Sequence, residues 1–171
     1  QPHEIAALAD LAHANGMLLH LDGARLSNAA AALGKNFKEF TTDVGVDLVS
    51  LGGTKIGAMA AEAVIVTNAS TPRGKELAEA MPFLRKTSMQ LASKMRFFSA
   101  QLNALFENNA QVAISNGKRA NSMAQKLYAE IVEIAKSHPE ITVPNVAEAN
   151  AVFPILPPKV TAALQEQYRF Y

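Results

Sequence analysis

Two apolar runs, each ending in a short polar turn, constrain what this chain can fold into. Met17-Leu18-Leu19-His20-Leu21 closes on Asp22-Gly23, and Val46 to Leu51 closes on Gly52-Gly53-Thr54-Lys55. Continuous apolar runs of this length, set between helical patterns, are expected of strands buried on both faces in a parallel sheet. Ile5, Leu8, Leu11 and Ala12 precede the first run at helical spacing, with Gly16 as the C′ glycine. Leu26 to Leu33 reads as an Ala-rich helix closed by Gly34, Phe37 and Phe40 suit a further short helix, and Ala63 to Val66 reads as a third strand. Helix and strand thus alternate over residues 3–68, the pattern of an α/β layer.

The character changes after residue 72. Leu84, Leu91, Met95, Phe98, Leu102 and Leu105 recur at steps of seven, four and three, which predicts one long amphipathic helix with a coiled-coil-like seam. Asn116 to Lys136 predicts another helix. Ile141-Thr142-Val143 and Ala151-Val152-Phe153 read as strands, and Pro158 to Gln167 as a last helix. The expected organisation is an α/β layer over residues 1–71, a connecting helix over 72–110, and the first part of a smaller α+β domain over 111–171.

Composition excludes several classes. A net charge of +1 sets up no broad field for nucleic acid or a membrane surface. The absence of cysteine removes disulfides, thiolate nucleophiles and Cys-based metal sites, and fits a reducing, cytoplasmic setting. No apolar run approaches the ~20 residues of a membrane helix. The start on Gln1-Pro2 and the aromatic end Tyr168-Arg169-Phe170-Tyr171 suggest the middle of a longer protein.

The chemistry gathers at the two strand ends. Open α/β sheets bind ligands at the carboxyl ends of their strands. Asp22 stands there either as a ligand-facing carboxylate or as the cap of the helix that follows. His20, two residues earlier, shares its face and is a supporting residue. Arg25 sits near a helix start, where the macrodipole disfavours a cation unless it holds an anion. Lys55 lies between Gly52-Gly53-Thr54 and Gly57. Such glycines allow close backbone approach to a ligand, and an ordinary βα turn is the plainer reading. The GxxxxGK[ST] pattern is absent, so this is not a P-loop. The 33-residue spacing from Asp22 to Lys55 matches a βαβ unit, which puts both at one sheet edge. One Asp, one Lys and one Arg in that place suit pyridoxal phosphate: the lysine for the covalent link, the Asp for the ring nitrogen, the Arg for an anionic oxygen.

Leu19-His20-Leu21-Asp22-Gly23-Ala24-Arg25-Leu26-Ser27-Asn28-Ala29, and Ser50-Leu51-Gly52-Gly53-Thr54-Lys55 with Ala61-Glu62-Ala63-Val64, strongly resemble the threonine aldolase / β-eliminating lyase family of fold type I pyridoxal-phosphate enzymes. The resemblance extends through Leu84-Arg85-Lys86 and Ser93-Lys94-Met95-Arg96-Phe97. It implies an α/β chain: part of the large cofactor domain, with a mostly parallel sheet, followed by part of a small α+β domain. It implies Lys55 as the cofactor-linked catalytic lysine, Asp22 at the pyridine nitrogen, and Arg25 at the cofactor's phenolic oxygen or the substrate carboxylate. Thr54 and His20 are expected near the cofactor, and Lys86 near a neighbouring subunit's substrate. The implied activity is cleavage of threonine or a related β-hydroxy amino acid to glycine and an aldehyde, in a homotetramer built as a dimer of dimers. No metal is implied. The family's phosphate-binding turn and ring-stacking histidine are not found in residues 1–171, and its second carboxylate-binding Arg is expected past Tyr171, so this stretch alone is expected to be inactive. β-Elimination or transamination on the same scaffold, and a non-catalytic helical interaction fragment, are the other readings.

Overall fold

A computed structural model of the protein describes residues 1–170; Tyr171, at the aromatic end noted above, lies outside the described residues. The chain divides into two compact units, Gln1–Gly117 and the residues from Lys118 onward.

In the first unit, α1 (Pro2–Ala14) opens with Pro2 in its first turn, where the missing N–H costs nothing, and a capping box between Gln1 and Glu4. Gly16 follows in the left-handed region, as its C′ position demands. The helix buries Ala9 and Ala12 and leaves Leu8 and Leu11 exposed, so its packed face is narrower than the apolar spacing suggested. Strand β1 (His20–Gly23) leads to α2 (Leu26–Leu33), two short 3₁₀ turns (Phe37–Phe40 and Thr42–Val44), and β2 (Leu48–Gly52). A turn carrying Lys55 then reaches β3 (Glu62–Val66).

The sheet order is β1-β2-β3, with β1 parallel to β2 and β2 antiparallel to β3. Connection length explains the mixture. A parallel pair needs a crossover of a dozen or more residues, which the α2 region supplies, whereas the short turn over 53–61 only lets the chain fold back on itself. Val49 and Leu51 face a core of Leu26, Ala30, Phe40 and Val46, with Phe37 packed edge-on to Phe40 at 6.2 Å. Burying a side chain the size of Phe40 contributes about 1.5–3 kcal/mol. The other face is open within this chain: His20 and Asp22 are exposed, and Val64 is 61% exposed. The expectation of strands buried on both faces is corrected on this point. The apolar run of β1 is half covered, and the polar residues within it mark the uncovered side.

Asp47 ties the layer together. Its Oδ2 accepts from the Leu19 backbone N–H at 2.8 Å and from His13 Nε2 at 2.8 Å, joining α1 to the start of both parallel strands. Its carboxylate is only 12% exposed. Asp47→Ala leaves a partly buried donor unsatisfied and should lower stability by about 1–3 kcal/mol. Asp47→Asn keeps an acceptor for Leu19 and should cost less. Urea unfolding of the two variants checks the order.

Helix α3 (Pro72–Thr87) is capped by Thr71, whose hydroxyl accepts from the Gly74 N–H. It ends at Ser88, and the next helix, α4 (Arg96–Ala135), begins only after a break in which Met89 and Lys94 take positive φ. The single long helix expected over 72–110 is therefore two. Within α4, Glu107 to Ala110 leave helical geometry. Asn108 and Asn109 are residue types that tolerate the left-handed region they occupy there. Of the predicted seam, Leu105 is buried, while Leu84 and Leu91 are exposed.

Beyond Gly117, the second unit holds the remainder of α4 and helix α5 (Pro158–Gln165). The two strands expected over 141–143 and 151–153 reduce to one antiparallel bridge between Thr142 and Ile155, with N–H···O distances of 3.1 and 2.7 Å. Pro144 and Pro154 flank the bridge and have no N–H to extend a ladder.

Candidate active site

The register puts the predicted site residues on one sheet edge. Asp22 lies directly opposite Ser50 on the neighbouring parallel strand. Paired residues of adjacent strands share a face, so His20, Asp22 and Ser50 project from the open side. His20 Nε2 and Ser50 Oγ are hydrogen-bonded at 2.8 Å, which holds the imidazole across the strand gap. Asp22 Oδ1 accepts from the Ala24 N–H at 3.0 Å. That bond braces the turn after β1 and leaves Oδ2 without a partner among the described residues. Asp22 does not cap α2: the N-cap position belongs to Arg25, whose side chain makes no capping bond. Arg25 is exposed, a cation at a helix start with no anion to answer it among the described residues.

Lys55 follows the C-terminal end of β2, beside the end of β1. Its side chain is exposed and has no hydrogen-bond or ion-pair partner among the described residues. The backbone around it is tightly held. Gly53 N–H donates to the Ala61 carbonyl at 2.8 Å, and the Ile56 and Ala58 N–H groups donate to the Gly53 carbonyl at 3.1 and 3.0 Å. A Cβ on Gly53 would lie 2.8 Å from that Ala61 oxygen, and Gly57 adopts φ +121°. The glycines around Lys55 thus make room for the chain's own backbone. Thr54 Oγ1 donates to Glu62 Oε1 at 3.1 Å, linking the turn to the first residue of β3.

Lys86 stands on another element, in the last turn of α3, where a cation suits the helix dipole. A cavity of about 250 Å³, lined by Leu26, Phe37, Val49, Leu51 and Ile65 among others, lies on the core side of the sheet and touches none of these residues. No cluster of three or more His, Asp or Glu among the described residues is placed to hold a metal, and no helix there is long and apolar enough to cross a membrane. Sequence reasoning missed Ser50 and Glu62. Ser50 had a weak signal, since aligning the two strands at their polar ends places it beside Asp22. Glu62 is visible only once the turn is folded.

A family model described as "Beta-eliminating lyase" matches residues 1–153. The chain belongs to the beta-eliminating lyase family. Among relatives of this family member, the low specificity L-threonine aldolase of Pseudomonas sp. (strain NCIMB 10558) is 36% identical over 172 residues, and that of Pseudomonas aeruginosa 34%. Each alignment covers 100% of this chain and 46% of the relative, so the chain spans about half the length of the relatives it matches. The solved threonine aldolase of Leishmania major superposes with a TM-score of 0.71 over 99% of this chain and 46% of its own, at 24% identity. An aromatic amino acid beta-eliminating lyase/threonine aldolase from Exiguobacterium sp. 255-15 gives 0.58 at 19% identity, over 86% of this chain and 38% of its own. These likenesses show the fold: an α/β chain of the fold type I kind, with a mixed rather than wholly parallel sheet where this family member is described.

Proposed function

We propose that the intact protein is a cytoplasmic, pyridoxal-phosphate-dependent lyase that cleaves threonine or a related β-hydroxy-α-amino acid to glycine and an aldehyde. The observation that carries this reading is an unpartnered lysine amine and a half-free carboxylate at the same C-terminal edge of two neighbouring parallel strands. Family membership and the threonine aldolase relatives support it.

The residues present fit the cofactor. Lys55 is free to carry the covalent link, because nothing among the described residues engages its amine. Asp22 Oδ2 is free to hold a proton on the ring nitrogen, while Oδ1 is fixed by Ala24. Arg25, on the next turn, supplies a planar bidentate donor for an anionic oxygen. His20, held by Ser50, flanks Asp22 on the open face. Thr54, held by Glu62, keeps the lysine turn in place. When bound, pyridoxal phosphate supplies an electron sink for the pair released as the substrate's Cα–Cβ bond breaks. In that cleavage the β-hydroxyl gives up its proton as its carbon becomes the aldehyde carbonyl, and Cα gains one to become glycine.

The family description gives β-elimination a specific claim as the second reading. Product analysis separates the two. Supplied with threonine and pyridoxal phosphate, the intact protein should release glycine and acetaldehyde in equal amounts. Ammonia and a keto acid in place of glycine would replace the aldolase reading by β-elimination. Under the same proposal, Lys86 acts at a neighbouring subunit's site in a dimer of dimers. Phe83, Met89 and Phe97, at 74%, 90% and 59% exposed, support such an assembly, since large apolar side chains grouped on one stretch mark contact surfaces.

A further inference from the structure

Lys55 has no side-chain partner among the described residues, so the position of its amine is set by the backbone that presents it. That backbone is fastened from a distant part of the chain. The Asn116 side-chain amide, on α4 and 60 residues away in sequence, donates to the Ile56 carbonyl at 2.7 Å. Gln101, which lies before the kink at Glu107–Ala110 while Asn116 lies after it, accepts through Oε1 from the Met59 N–H at 2.8 Å and the Ala60 N–H at 3.4 Å. Between these two bonds Ile56, only 5% exposed, packs with Leu105, Ala110 and Ala113. Helix α4 therefore grips the residue immediately after Lys55 by both its side chain and its carbonyl.

We infer that Asn116 is a positioning residue for Lys55, acting through the Ile56 carbonyl, with Gln101 fixing the far end of the same turn. The inference rests on the reading of Lys55 as the cofactor lysine. A reacting group displaced by about 1 Å can lose 10²-fold in rate. A long, unpartnered lysine depends wholly on its anchor for that accuracy, and a site held on a supported turn loses less freedom on binding.

The test compares the intact protein with Asn116→Leu, which removes the donor at similar size, and with Asn116→Asp, which donates only when protonated. In the cofactor-free protein, hydrogen exchange at the Ile56 and Ala58 amides should accelerate roughly tenfold in Asn116→Leu, while amides of β1 and β2 keep their rates. Affinity for pyridoxal phosphate should fall about tenfold, and kcat about tenfold with KM for the amino acid nearly unchanged. In Asn116→Asp the protection, compared with wild type at each pH, should return as the pH is lowered through the carboxyl range. Gln101→Leu gives an independent variant, with the same loosening at Met59 and Ala60. Wild-type exchange and cofactor affinity in all three variants would overturn the inference. So would faster exchange with unchanged affinity and kcat, which would leave the bond merely structural. A wild-type protein that protects Ile56 and Ala58 yet binds no pyridoxal phosphate would instead remove the Lys55 reading on which the inference stands.

Discussion

Lys55→Ala in the intact protein is expected to lower glycine formation from threonine by at least about 10⁴-fold, equivalent to some 5.5 kcal/mol of transition-state stabilisation. The size follows from what the proposed function would lose: the lysine amine that, on that reading, links to the cofactor. Lys55→Arg should fail nearly as badly. It keeps the positive charge and the length, but a guanidinium stays protonated and is no amine nucleophile. A charge-only role for Lys55 would let Arg substitute, so the pair of variants tells the two roles apart. Neither substitution should disturb folding. The side chain is exposed and makes no polar contact among the described residues, and the turn is held by Gly53, Ile56 and Thr54. Stability within ±0.5 kcal/mol of wild type by urea unfolding is the expected control, as for most exposed positions.

The second large effect belongs to Asp22. Asp22→Asn preserves an acceptor for the Ala24 N–H and so leaves the turn after β1 intact. It removes the negative charge that would keep the ring nitrogen protonated. A loss of about 10²–10⁴ in kcat is expected, the range in which a positioned proton-holding group contributes. Cofactor should still bind, more weakly. A full-rate Asp22→Asn enzyme would show that Asp22 serves only as a turn brace. Asp22→Ala adds the loss of that brace and should be worse in both activity and stability.

The α/β character was legible because the apolar runs and the glycines at 16 and 34 carry strong local signals. Gly34 closes α2 in the left-handed conformation its position demands. The shared edge of Asp22 and Lys55 was also legible, since the length of chain between them fits one crossover. Other features depend on tertiary context. Which face of β1 stays open is marked in its apolar run by His20 alone, a signal too slight to outweigh the apolar residues around it. The antiparallel return of β3 follows from a connection too short for a crossover, and that length becomes clear only when the turn's own hydrogen bonds are known. The break between α3 and α4 falls where Met89 and Lys94 take positive φ, although neither residue type signals it. Proline explains the lost strands in the second unit. The grip of Asn116 on Ile56 has no local signature at all: a single Asn on a long helix reads as a solvated side chain until the turn is folded beneath it.

Chemical capture at Lys55 tests the central claim most directly. The intact protein is incubated with pyridoxal phosphate, reduced with borohydride, digested, and its peptides are weighed and sequenced by mass spectrometry. The account predicts a stable phosphopyridoxyl group on Lys55 at near-stoichiometric yield, with the other lysines largely unmodified. An unmodified Lys55, or label spread evenly over the exposed lysines, would contradict it.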